Sequence, residues 1–180
     1  QVILFPAHGA GSVCGAGMAD RDFSTLGFER QTNSALQVDS KNEFIQNKIQ
    51  EKHTKPPYFA KMEEVNLKGA PPVEPVFSPH PLNADQFEQA MQNGMLAIDT
   101  RSPEAFAGAY IPGSIAIPLD MLPAFAGWFL PYDQDLVLIV DSYPNVQTAR
   151  RFLTRIGYDR VVGFLEQGLH EWEIRGKYYE

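Results

Sequence analysis

Residues 136–140 read Leu-Val-Leu-Ile-Val and run directly into Asp141-Ser-Tyr-Pro-Asn-Val-Gln147. A fully apolar run of this length, bounded by polar and turn-forming residues, is the signature of a strand buried on both faces. The segment that follows places Val146, Ala149, Phe152, Leu153 and Ile156 on one helical face, with Arg150, Arg151 and Arg155 elsewhere, and Gly157 ends it. Arg160 to Leu165 then reads as the next strand. Working outward, Asn83 caps a helix with Phe87, Ala90 and Met91 at i, i+3, i+4 spacing, and Gly94 stops it. Met95 to Asp99 is an apolar strand, Ser102-Pro103 opens a short helix with Pro at its first position, and Ile115 to Ile117 is a further strand. Short apolar strands alternating with helices predict a doubly wound parallel α/β sheet.

The whole chain has 180 residues, 44% hydrophobic, 12% aromatic and 21% charged. That balance suits a folded chain and excludes wholesale disorder or a collagen-like repeat. The net charge of −7 leaves no basic surplus to neutralise phosphates, so no nucleic-acid partner is expected. No apolar run reaches the roughly 18 residues of a membrane span, so no membrane partner is expected either. The single cysteine, Cys14, rules out an intramolecular disulfide framework and any multi-cysteine metal site within this chain. A reducing cytoplasm is the default location.

Upstream of the α/β pattern, Lys68 to His80 contains four prolines and one glycine and reads as an extended linker. Before it, Gln1-Val-Ile-Leu-Phe5 reads as a buried strand that begins without a lead-in, which is expected of the C-terminal piece of a longer polypeptide. Ser40-Lys-Asn-Glu43 is a capping box opening a helix with Phe44, Ile45 and Ile49 on one side. The strand feeds Pro6-Ala-His8-Gly9-Ala-Gly-Ser12. A histidine at the C-terminal end of a strand, followed by glycines that let other groups approach, suits a metal or reactive ligand, although a lone histidine is more often a packing or surface residue. Cys14, six residues on, is either a small buried residue or an accessible thiolate able to carry sulfur. His53, His80 and His170 have no partners at metal-ligand spacing and read as surface or packing residues.

Ile98-Asp-Thr-Arg101, Phe106, Tyr110-Ile-Pro-Gly-Ser114, Ile117-Pro118, Ile156-Gly-Tyr158 and the stretch from Gly163 to Trp172 together resemble the rhodanese domain family across residues 83–180. The resemblance implies a structural ion pair between Asp99 and Arg101. It also implies a catalytic cysteine just after the central strand, where backbone N–H groups and a helix N-terminus stabilise an anionic persulfide. Here that position falls on Asp141 or Ser142. A carboxylate does not accept sulfur reversibly, and a serine hydroxyl is not appreciably ionised near neutral pH. Both residues are therefore expected to be non-catalytic and the module inactive as a sulfurtransferase. Nucleophilic attack by Asp141 in phosphatase fashion lacks the partner acids and anion-cradling glycines it would need.

Phe5-Pro-Ala-His-Gly-Ala-Gly-Ser-Val-Cys-Gly15, Ser24-Thr25, Gly27, Glu29-Arg30, Asn33, Pro56-Pro-Tyr-Phe59, Asn66 and Gly69 resemble the C-terminal end of a metallo-β-lactamase-fold domain, above all that of persulfide dioxygenases fused to rhodanese modules. The expected fold class is thus α/β: the terminal strand and helices of a metallo-β-lactamase (αββα) fold at 1–70, a Pro-rich linker at 71–82, and an inactive rhodanese-like domain at 83–180. The resemblance makes His8 the last metal-site histidine, the main His-x-His-x-Asp-His motif lying upstream. It implies non-haem Fe(II), or Zn²⁺ in the hydrolases of the fold, and a low-molecular-weight thiol persulfide as substrate. The N-terminal strand would be held by missing upstream polypeptide, a partner copy in a homo-oligomer, or the rhodanese-like domain. Two other readings stand beside persulfide oxidation: a two-zinc hydrolase of a thioester-like bond, and a non-enzymatic binding module.

Overall fold

The computed structural model describes residues 2–8, 19–51, 55–70 and 79–180. The chain divides into two compact units, residues 1–55 and 56–180.

In the first unit, β1 (Ile3–Leu4) pairs antiparallel with β2 (Ser24–Thr25), Ile3 lying opposite Thr25. The helix α1 (Leu26–Thr32) follows at once, its first turn capped by the Thr25 side chain, which accepts from the Phe28 N–H. A second helix, α2 (Lys41–Gln50), starts at Ser40, whose hydroxyl accepts from the Glu43 N–H. The Glu43 side chain does not return a bond to the Ser40 N–H, so only half of the expected box is realised. The strand expected at 1–5 is present but short, and it is not buried: Ile3 is 56% and Phe5 76% exposed. Helices α1 and α2 likewise bury no residue. An apolar run without a covering layer keeps its backbone pairing but gains no burial energy, so the sequence pattern here over-reads the interior.

The second unit opens with α3 (Tyr58–Lys68), followed by β3 (His80–Leu82), α4 (Ala84–Gln92), β4 (Leu96–Asp99), α5 (Pro103–Gly108), β5 (Ile115–Ala116), α6 (Leu122–Phe129), β6 (Leu136–Ile139), α7 (Tyr143–Arg155), β7 (Val161–Leu165) and α8 (Leu169–Ile174). The five strands form one all-parallel sheet in the order β3-β7-β6-β4-β5. Strand periodicity divides its core in two. Leu136 and Leu138 point to the side of α6 and α7, where they meet Leu122, Ala126, Val146, Ala149 and Leu153. Val137 and Ile139 point to the side of α4 and α8, where they meet Ala84, Phe87, Ala90 and Trp172. Helices on both faces explain why 136–140 is apolar without alternation.

Three features lie outside the pattern expected from the sequence. Residues 80–82, placed at the end of a linker, are an edge strand of the sheet, His80 opposite Gly163. The helix α6 was not foreseen, because Leu122-Pro-Ala-Phe-Ala-Gly-Trp-Phe129 is apolar on most sides and carries Pro and Gly. Helix α3 belongs to the second unit rather than with the N-terminal segment. Gly127 of α6 allows this, since a Cβ there would stand 2.7 Å from the Tyr58 ring. Among the described residues, no helix is long and apolar enough to cross a membrane.

Candidate functional site

Where β6 and β7 end, a concave pocket of about 430 Å³ opens at the carboxyl edge of the sheet, the usual address of ligand sites in open parallel sheets. Its floor is Val140, Phe164, Leu165 and Gly168, all buried. Its rim is Pro81, Asp141, Ser142, Tyr143, Glu166 and Gln167, all exposed. The Tyr143 and Phe164 rings stand 5.7 Å apart between centroids, tilted by 60°.

Local sequence builds each wall. Ser142, in extended backbone, is the N-cap of α7, and its side chain makes no capping hydrogen bond. Pro144 in the first turn supplies no N–H, as a first-turn position tolerates. The opposite wall is the turn 166–168. Its Glu166 N–H donates to the Leu82 carbonyl at 2.8 Å, and Gln167 has a left-handed φ of 57°. Gly168 has φ +60°, and a Cβ there would meet the Val140 carbonyl oxygen at 2.8 Å. Only glycine lets the turn fold back this closely on the end of β6.

The chemistry available is narrow. The lining holds no thiol, imidazole, amine or guanidinium. Ser142 therefore has no imidazole or amine base in the lining, where the basic groups are the carboxylates of Asp141 and Glu166. Asp141 has neither a hydrogen bond nor an ion pair among the described residues. The Asp99–Arg101 pair sits apart from the pocket lining and is wholly committed to structure. The Arg101 Nε donates to Asp99 Oδ1 at 2.9 Å, and Nη2 donates to Asp99 Oδ2 and to the Ala109 carbonyl at 2.7 Å each. Both residues are buried. The fork ties the end of β4 to the end of α5.

A domain of parallel strands in this order, with a pocket at the start of the helix after its central strand, invites comparison with known proteins. The rhodanese-like domain model matches residues 83–175. The chain belongs to the rhodanese-like domain family. Its rhodanese-like domain carries no cysteine, since Cys14 lies outside the matched residues. The fold is shared by a protein of Bacillus halodurans, 16% identical with a TM-score of 0.50, the match covering 68% of this chain and 82% of that one. A rhodanese-related protein from Thermoplasma volcanium is 22% identical with a TM-score of 0.48, over 56% of this chain and 97% of that one. A second likeness reaches beyond the rhodanese-like domain. A metallo-β-lactamase from Staphylococcus aureus is 36% identical over 90% of this chain, with a TM-score of 0.63. The chain spans 44% of the length of that protein. Among curated proteins none matches the chain.

His8 is exposed, in a bend after β1. Among the described residues no group of three or more His, Cys, Asp or Glu side chains is placed to hold a metal. Cys14 and His53 lie outside the described residues. On the rhodanese-like side, Glu166, Gln167 and Gly168 went unremarked as site residues. Their signal was a Gly three residues past the end of a strand, adjacent to the strand that carries the Asp141 loop.

Proposed function

We propose that this chain is part of a metallo-β-lactamase-fold and rhodanese fusion in sulfur metabolism, in which the rhodanese-like domain is not a sulfurtransferase. The observation that carries the fusion is the 36% identity to a metallo-β-lactamase over 90% of the chain, rhodanese-like residues included. The activity we assign to the whole protein is oxidation of a low-molecular-weight thiol persulfide by O₂, with water supplying the third oxygen, to sulfite, the thiol and two protons, in the cytoplasm. Non-haem Fe(II), bound by residues upstream of this chain, would supply the oxygen activation. Pairing with a sulfur-handling fold supports this substrate class, an argument of association rather than of site geometry.

The rhodanese-like domain has its own part in this reading. With Asp141 and Ser142 in place of the nucleophile and no thiol, imidazole or cation lining the pocket, it serves as structure and as a docking surface. The test is expression of the protein with its upstream residues, followed by metal analysis and oxygen consumption with a persulfide. One iron per chain with sulfite release supports the proposal. Two zinc ions with hydrolysis of a thioester overturn it in favour of a hydrolase, a reading that the metallo-β-lactamase likeness also supports.

A further inference from the structure

Helix α6 is apolar on every side, yet only part of its circumference is covered. From Met121 to Tyr132 the sequence carries no charged residue, and a helix without a polar face is ordinarily buried all round. Leu122, Ala126 and Gly127 are buried, the first two in the core beneath the sheet and Gly127 under the Tyr58 ring of α3. The opposite side is open. Phe125, Trp128 and Phe129 of the helix, with Met121 in the turn before it, are each 43–59% exposed. At roughly 100° per residue, these four and the exposed Ala124 fall within one arc of about 140°.

Half-exposed rings of this size, with the methionine, present about 400 Å² of apolar surface. A standard interface takes about 800 Å² from each partner, roughly two-thirds of it apolar in homodimers. The arc therefore supplies most of the apolar centre of one partner's share, and it needs an equal apolar surface opposite. A second copy brings that surface by symmetry, because in a two-fold contact the same patch serves both sides. Composition agrees, since interface centres are rich in Trp, Phe and Met and poor in charged residues. Charge agrees as well. Two copies of a chain of net charge −7 repel, and an uncharged arc is where they meet with least conflict. Large and small side chains also neighbour each other on it, Ala124 leaving space beside Phe125 and Trp128 for a ridge of the facing helix. We therefore propose that two copies of this chain associate across a two-fold axis through the Met121, Phe125, Trp128 and Phe129 side of α6. The proposal goes beyond persulfide oxidation and stands whether or not the whole protein performs it.

The test uses the 180-residue chain in analytical ultracentrifugation from about 1 to 100 μM. A reversible monomer–dimer equilibrium is expected, with the emission of exposed Trp128 moving to the blue as dimer forms while buried Trp172 contributes a constant background. Trp128→Ala is expected to raise the dimer dissociation constant at least about tenfold. Phe125→Lys, which sets two like charges facing each other, is expected to leave monomer throughout. Both side chains are on the surface, and an unchanged far-ultraviolet circular dichroism spectrum checks that each variant is folded. Ile3→Ser, in the exposed strand of the first unit, is expected to leave the equilibrium where it was. A chain that stays monomeric to the highest concentration, a dimer that survives both α6 substitutions, dissociation by Ile3→Ser, or a monomer that instead binds phosphatidylcholine–phosphatidylglycerol vesicles would each overturn the proposal.

Discussion

Single residues in this protein are held by distinct forces that respond to different measurements. Gly168 is held by backbone geometry. Replacing it with Ala places a Cβ against the Val140 carbonyl at φ +60°, and a cost of about 1–3 kcal/mol is expected in urea unfolding. Arg101 is held by charge in a dry site. Arg101→Leu leaves the buried Asp99 carboxylate unpaired, and about 3–5 kcal/mol of destabilisation is expected. Stability of that variant within 1 kcal/mol of the parent would remove the pair's structural role. Tyr158 is held by burial. Its hydroxyl donates to the Leu130 carbonyl at 2.6 Å beneath α6, and desolvation, with Tyr132 beside it, pushes its pKa far above the ordinary tyrosine range. Above about pH 10 the unfolded chain releases this proton while the folded chain keeps it, so unfolding releases a proton and stability falls as pH rises. The stabilisation is complete below the ordinary tyrosine pKa and is lost on the way up to the raised one. Tyr158→Phe is expected to flatten that alkaline decline, which thermal melts across the range would show.

At the scale of elements, α3 is the instructive case. It precedes the Pro-rich stretch, yet it docks within the second unit. Tyr58 packs over Gly127, and the Lys61 side chain passes close to Gly157 and the Tyr132 ring. Tyr132 in turn stacks on Tyr158 at 4.3 Å and donates to the Ile156 carbonyl at 3.0 Å. The helix is therefore a clasp over the α6 and α7 side of the sheet. A fragment spanning 56–180 is expected to have a higher urea midpoint than one spanning 80–180, and Gly127→Leu is expected to bring the longer fragment down to the shorter. Equal midpoints for the two fragments would mean that α3 contributes nothing to this unit.

For the whole molecule the decisive measurement is sulfur transfer. With no cysteine between 83 and 180 and no thiol or imidazole lining the pocket, transfer from thiosulfate to cyanide by the intact chain is expected to be absent. Turnover that survives replacement of Cys14 would overturn this and require a nucleophile in the pocket after all. The first unit behaves differently. Its described apolar side chains, Ile3, Leu4, Phe23 and Ile49 among them, are exposed, so in a longer protein they are expected to be the residues most protected from hydrogen exchange relative to this chain.

The sequence by itself determined the parallel sheet of the second unit. Runs such as 136–140 and 161–165 must be buried on both faces, and Asn83, Ser102 and the glycines at 94 and 157 mark where helices start and stop. These are local signals, acting within a few residues through capping, periodicity and backbone freedom. The resemblance to the rhodanese family, carried by motifs in the same stretch, is what points to Asp141 or Ser142 for the nucleophile position. Tertiary structure alone decided the remainder. Whether Val2 to Phe5 is buried depends on what covers it, and an apolar run carries no information about its cover. His80–Leu82 became a strand because β7 offered an open edge, and α3 joined the second unit because Gly127 left room for Tyr58. That Asp141 and Glu166, some 25 residues apart in sequence, line one pocket follows from β6 and β7 being neighbours in the sheet, a long-range property that no short window of the chain contains.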